Sequence, residues 1–100
     1  MVPEELATKY IKAIKDALKQ FGLYAYDDKG PREVMDIDEI TDELGKLSTA
    51  EVSATFKLVL EKSKGTRQAS QFISACLVHM QEWEHFDELM DKHAWLDEHF

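Results

Sequence analysis

"STAEVSATFKLVLEKSKGTRQASQFISACLVHM" covers residues 48–80, and its reading decides the fold class. Ser48 and Glu51 stand three apart, the spacing of a reciprocal N-terminal cap. Val52, Phe56, Val59 and Leu60 follow at helical spacing and predict a helix over about 49–63. Leu58 falls on its far side, so it is exposed or meets a second surface. "KSKG" (62–65) ends the helix, with bases near its negative pole and Gly65 expected at the left-handed position after the cap. Thr66 is placed to cap a second helix. Ala69, Phe72, Ile73, Cys76, Leu77, Met80 and Trp83 give that helix one wide apolar face and carry it to about Trp83. Two helices joined by so short a turn pack antiparallel.

The N-terminal segment fits the same class. "PEELATKYIKAIKDALKQFG" (3–22) has Pro3 at a first-turn position and Glu4 and Glu5 where the helix dipole favours negative charge. Leu6, Tyr10, Ala13, Ile14, Ala17, Leu18 and Phe21 share one face at about 100° per residue. Lys9, Lys12, Lys15 and Lys19 fall on the other, read as a solvated face answering the acidic end of the chain. Gly22 is a natural stop. Asp36 and Glu39 have capping-box spacing, and Ile37, Ile40, Leu44 and Leu47 form the buried stripe of a short helix whose end Gly45 weakens. Between these helices, "DDKGP" (27–31) is turn chemistry. "LYAY" and "REVM" on either side predict a short β-hairpin or an irregular loop at about 23–36. Tyr24 and Tyr26 there either cover the core or face a partner.

Beyond Trp83 the helical register fails. Asp87 would project from the apolar face of a continuous helix. The chain is therefore expected to break around 84–87, with Asp87 as a new N-cap. Leu89, His93, Leu96 and Phe100 then line up along a last helix. The expected architecture is all-α: one domain over 1–100, a bundle of four or five antiparallel helices with a short non-helical insertion.

Composition bounds the function. A chain of 100 residues, 44% apolar and 32% charged, has globular proportions. Cys76 is the sole cysteine, so neither an internal disulfide nor a cysteine-based zinc site can form. Cys76 reads as a small core residue in a reducing, cytoplasmic protein. No apolar run is long enough for a membrane span, and the first residues lack a signal-peptide core. The net charge of −8 disfavours direct nucleic-acid binding. That charge is concentrated: residues 79–100 carry seven acids against one base, and "DIDEITDE" (36–43) carries five acids and no base.

The closing segment also holds all four histidines. Glu82 and His85 have the Glu-x-x-His spacing of di-iron bundles, but no second copy exists. His79, Glu82 and His85 step round a helix and splay instead of converging. His93 and Asp97 have zinc-pair spacing without a third ligand. No nucleophile elbow or phosphate loop is present, so no enzyme and no cofactor are expected. The imidazoles sit among carboxylates that favour their charged form, which suggests pH-tuned association.

These properties point to a small acidic binding protein that neutralises a basic partner, such as a nucleic-acid-processing enzyme. Immunity proteins, antitoxins and phage-type inhibitors share that profile of composition. The expected contact surface is Glu82, Glu84, Asp87, Glu88 and Asp91 with Trp95, and secondarily Asp36, Asp38, Glu39, Asp42 and Glu43. Two alternatives stand beside it. One is a homo-oligomeric assembly module using Leu58, Trp95 and the loop tyrosines. The other is a metal-binding helical protein using the His/Glu-rich end.

Overall fold

A computed structural model of the chain describes residues 3–21 and 37–100, with side chains at 3–16 and 38–100. Five helices lie among the described residues: α1 (Pro3–Phe21), α2 (Ile37–Leu44), α3 (Thr49–Lys62), α4 (Arg67–His79) and α5 (Phe86–Lys92). A 3-10 turn at Met80–Glu82 separates α4 from α5, and a 3-10 segment at Ala94–His99 closes the chain. None of the described residues forms a strand, so the all-α expectation holds. The hairpin-or-loop segment, Tyr24, Tyr26 and Asp36 with its capping box lie outside the described residues.

α1 packs chiefly on α3, and α2 on α4, while α3 and α4 meet across their connecting turn. Leu6, Tyr10 and Ile14 of α1 are buried as the stripe requires. Ala7 is also buried, although it stands outside the predicted stripe, and Ala13 is only half-buried. Phe56, Val59, Phe72, Ile73 and Leu77 form the centre, with the Tyr10 and Phe72 rings tilted at 5.5 Å between centroids. Each such large apolar side chain contributes about 1.5–3 kcal/mol by leaving water. Leu58, expected to point away, and Leu60, expected in the core, are both partly buried against it.

The caps predicted for α3 and α4 form. Ser48 Oγ accepts from the Glu51 N–H at 3.2 Å, and the Glu51 carboxylate accepts from the Ser48 N–H at 3.1 Å. Thr66 accepts from the Ala69 N–H. The end of α3 differs by one residue from expectation. Lys64, not Gly65, follows the Ser63 cap, and both are left-handed, with φ 59 and φ 67. The Gly65 N–H reaches the Leu60 carbonyl at 2.8 Å and the Lys64 N–H the Glu61 carbonyl at 3.2 Å, the paired bonds of a Schellman stop. That pairing needs a left-handed residue directly after the cap, and Lys64 takes that place while the glycine stands one residue later.

The region after α4 departs most from the sequence reading. α4 does not run to Trp83; it ends at His79, and Trp83 is extended (φ −70, ψ 140). Met80 is fully buried at this end, and Trp83 lies across Gly45, where a β-carbon would meet its Cζ2 at 3.5 Å and the Thr41 carbonyl oxygen at 3.3 Å. A continuous helix would have turned Asp87 toward the core. Stopping here lets both Leu89 and Leu96 bury completely. Asp87 is not the cap of α5: the helix follows His85 without a side-chain cap bond, and Asp87 sits in its first turn. The predicted stripe through Phe100 is likewise interrupted at His93 (φ −129, ψ 60). α2 also ends at Leu44, so Leu47 packs from the turn beyond it.

Two stability measurements check these ends. Lys64→Gly removes a left-handed lysine and is expected to raise unfolding stability by about 1 kcal/mol in urea titration, whereas Gly65→Ala, despite open space around it, lowers it by about 1 kcal/mol. An unchanged or lower stability for Lys64→Gly would contradict the assigned turn. The second concerns acid. Hydrogen bonds from the Ser48 backbone and hydroxyl hold the Glu51 carboxyl below its ordinary 4.5. A depressed carboxyl stabilises above its unfolded value and loses that contribution as pH falls through its folded value. Glu51→Gln keeps the acceptor oxygen, so it is expected to flatten the stability curve below about pH 4.5. A curve that stays as steep as the parent's would remove Glu51 as a contributor.

Candidate functional site

The break after α4 creates a groove of about 230 Å³ between two parts of the chain some forty residues apart. Leu47, Val52 and Leu89 supply its apolar lining, and Trp83, His85 and Glu88 its aromatic and polar one. The α2–α3 turn, with Gly45 against Trp83 and Ser48 and Thr49 opening α3, forms the opposite side. Close by, His79 Nε2 and Asp38 Oδ1 stand 2.7 Å apart and tie the end of α4 to α2. The two acidic segments therefore meet in space. Sequence reasoning singled out Trp83 as core and His85 as a failed ligand, but it missed Ser48 and Thr49 as groove residues. The one local signal was Gly45, where close approach by an aromatic ring leaves little room for a side chain.

The expected contact acids divide into two sets. Glu82, Glu84, Asp87 and Asp91 are exposed, as are Asp38, Glu39 and Asp42 on α2. Asp38 holds His79 as well. Glu43 is spent inside the fold: Lys9 Nζ donates to its Oε2 at 2.8 Å, and the Tyr10 hydroxyl donates to its Oε1 at 3.2 Å. Among the described lysines of the α1 stripe, Lys9 answers α2 and not the acidic end of the chain; the Lys19 side chain lies outside the described residues. Burial, then the Glu43 carboxylate, push the Tyr10 hydroxyl far above its usual range, so it stays a donor. Glu88 takes Lys92 Nζ on Oε1 at 3.0 Å, and this bond holds its carboxyl below the ordinary value. It is therefore an anion at neutral pH.

Trp95 is turned inward. Its indole N–H donates to Ser53 Oγ at 2.9 Å, its ring meets the edge of His99, and it packs on the core. His99 Nδ1 lies 2.8 Å from Ser70 Oγ, and Ser74 donates to the Phe100 carbonyl at 3.2 Å. These bonds clamp the closing segment over α3 and α4, with the Phe86 and Phe100 rings 5.8 Å apart.

Cys76 is fully buried, and burial pushes its thiol far up, away from the nucleophilic thiolate. Among the described residues no group of three His, Cys, Asp or Glu side chains is placed to hold a metal ion, and no helix is long and apolar enough to cross a membrane. The groove presents the Glu88 carboxylate beside Trp83 and a partly apolar lining.

Trp95→Phe is expected to destabilise the chain by about 1 kcal/mol in thermal or urea unfolding, since it leaves the buried Ser53 hydroxyl without its donor. Unchanged stability would mean that Trp95 is not held as described. Comparison with protein-family models, with curated proteins and with solved structures finds no match for this chain.

Proposed function

We propose that this chain is a non-enzymatic protein-binding domain that neutralises a basic partner through its acidic surface, in the manner of an inhibitor, immunity protein or antitoxin. One observation carries the reading: α2 and the segment after α4 are tied together, by His79 against Asp38 and Trp83 against Gly45, and the carboxylates of Asp38, Glu39, Asp42, Glu82, Glu84, Asp87 and Asp91 on them are exposed. Carboxylates gathered on one face give a local negative potential that steers a positively charged protein and repels nucleic acid. A protein that processes nucleic acid has such a basic cleft. Glu82, Glu84, Asp87 and Asp91 are the principal contacts, with Asp38, Glu39 and Asp42 second. Glu43 supports the fold from inside. Trp95 acts as a fastener and not as an anchor, because its one donor is spent on Ser53. The same inward placement of Leu58 and Trp95 disfavours an assembly module built on them.

The test is to recover the partner from host cells at low salt and to reconstitute the pair from purified components. The expected partner is basic, loses its activity at a one-to-one ratio, and binds at least about tenfold more weakly at 500 mM than at 50 mM salt. Glu84→Gln combined with Asp87→Asn is expected to weaken binding without altering the melting temperature by more than about 2 °C. A neutral or acidic partner, or a complex indifferent to salt, would overturn the proposal.

A further inference from the structure

The groove beside Trp83 has the size and lining of a pocket for one side chain. Its volume of about 230 Å³ falls below the roughly 300–1,000 Å³ of clefts that take small molecules and cofactors. Its lining is mixed: Leu47, Val52 and Leu89 are apolar, whereas Trp83 brings an aromatic ring and Glu88 a carboxylate. The exposed acids Glu84 and Asp87 neighbour these lining residues in the sequence. A long, flexible side chain with an apolar stem and a cationic head matches that mixture. A purely apolar anchor would satisfy the leucines and valine but would bring nothing to Glu88.

We infer that this groove receives an arginine side chain from the basic partner, with the guanidinium lying on Trp83 and donating to Glu88. This rests on the acidic-surface reading and adds to it a specific anchor. Arginine is favoured over lysine for two physical reasons. Its planar, weakly hydrated head stacks on an indole and still donates in its own plane, whereas an ammonium keeps its water more tightly. Its paired N–H groups also match a carboxylate edge. Lys92 engages Glu88 at Oε1 from one turn along α5 and is itself well exposed, so it can yield to an incoming guanidinium. Binding hot spots are commonly such buried cations and aromatics ringed by weaker contacts; here the ring is the acid surface.

The experiment compares two blocked hexapeptides, one alternating arginine and glycine and one alternating lysine and glycine, titrated into the isotope-labelled chain at low salt. The arginine peptide is expected to bind about fivefold more tightly. It should shift the Trp83 indole N–H and the methyl groups of Leu47, Val52 and Leu89, while the Trp95 indole stays in place. Thr49→Phe, which fills the groove from the first turn of α3 without changing the net charge, is expected to erase the preference and leave weak, salt-sensitive binding. Its amide spectrum reports whether it folds, and the shift map of the parent chain needs no variant. Equal binding of both peptides with shifts confined to the exposed carboxylates would overturn the arginine pocket and leave the acidic surface standing. If neither peptide bound at low salt, both readings would fall.

Discussion

The end of α4 at a fully buried methionine is the constraint on which the rest depends. Met80 is the last residue that the helix can deliver to the core, and its N–H still reaches back to the carbonyls of α4. From there the chain turns through one 3-10 step, and Trp83 goes to Gly45 in place of following the helix axis outward. That turn lets α5 and the closing segment fold back and bury Leu89 and Leu96. Had the helix continued, the apolar stripe would have carried Asp87 inward, and a buried unpaired carboxylate costs several kcal/mol. The packing of Met80 and the solvation of Asp87 thus demand the same break.

The break also determines the electrostatics. Residues 36–43 and 79–100 are separate acidic blocks in the sequence, and like charges brought together repel. The fold offsets part of this repulsion locally. Lys9 and the Tyr10 hydroxyl engage Glu43, His79 meets Asp38, and Lys92 engages Glu88. The exposed pairs, His79 with Asp38 and Lys92 with Glu88, are worth little to stability, roughly 0–1 kcal/mol each. Glu82, Glu84, Asp87 and Asp91 are left facing water. A surface that keeps its negative charge in water, at some cost in self-repulsion, is suited to association.

Local signals in the sequence carried well. The Ser48–Glu51 cap, the Thr66 cap and the apolar stripe of α1 from Leu6 to Ile14 all depend on residues within a turn or two of each other, and all appear in the structure, while the side chains of Ala17, Leu18 and Phe21 lie outside the described residues. The stop of α3 was legible to within one residue, because the glycine that marks it, Gly65, stands one place beyond the left-handed position after the cap, which Lys64 takes. The end of α4 was not legible at its true place. Met80 and Trp83 both fit the helical period, so periodicity alone continues through them, and only the misfit at Asp87 betrayed a break. Its position was decided by the contact of Trp83 with Gly45, distant in sequence. The groove shares that origin, since its two sides come from 45–52 and 83–89. Of the candidate acids, the sequence could name the segment but not which carboxylates the fold would spend on Lys9, Tyr10 and Lys92.

The placement of Trp83 against the α2–α3 turn is the central claim, because the groove and the meeting of the acidic segments both follow from it. Nuclear Overhauser spectroscopy of the labelled chain tests it directly. The account predicts cross-peaks between the Trp83 ring and the α-protons of Gly45, with helical sequential contacts interrupted between Met80 and Phe86. An unbroken helical pattern from residue 67 to residue 92, with no contact between Trp83 and Gly45, would contradict it.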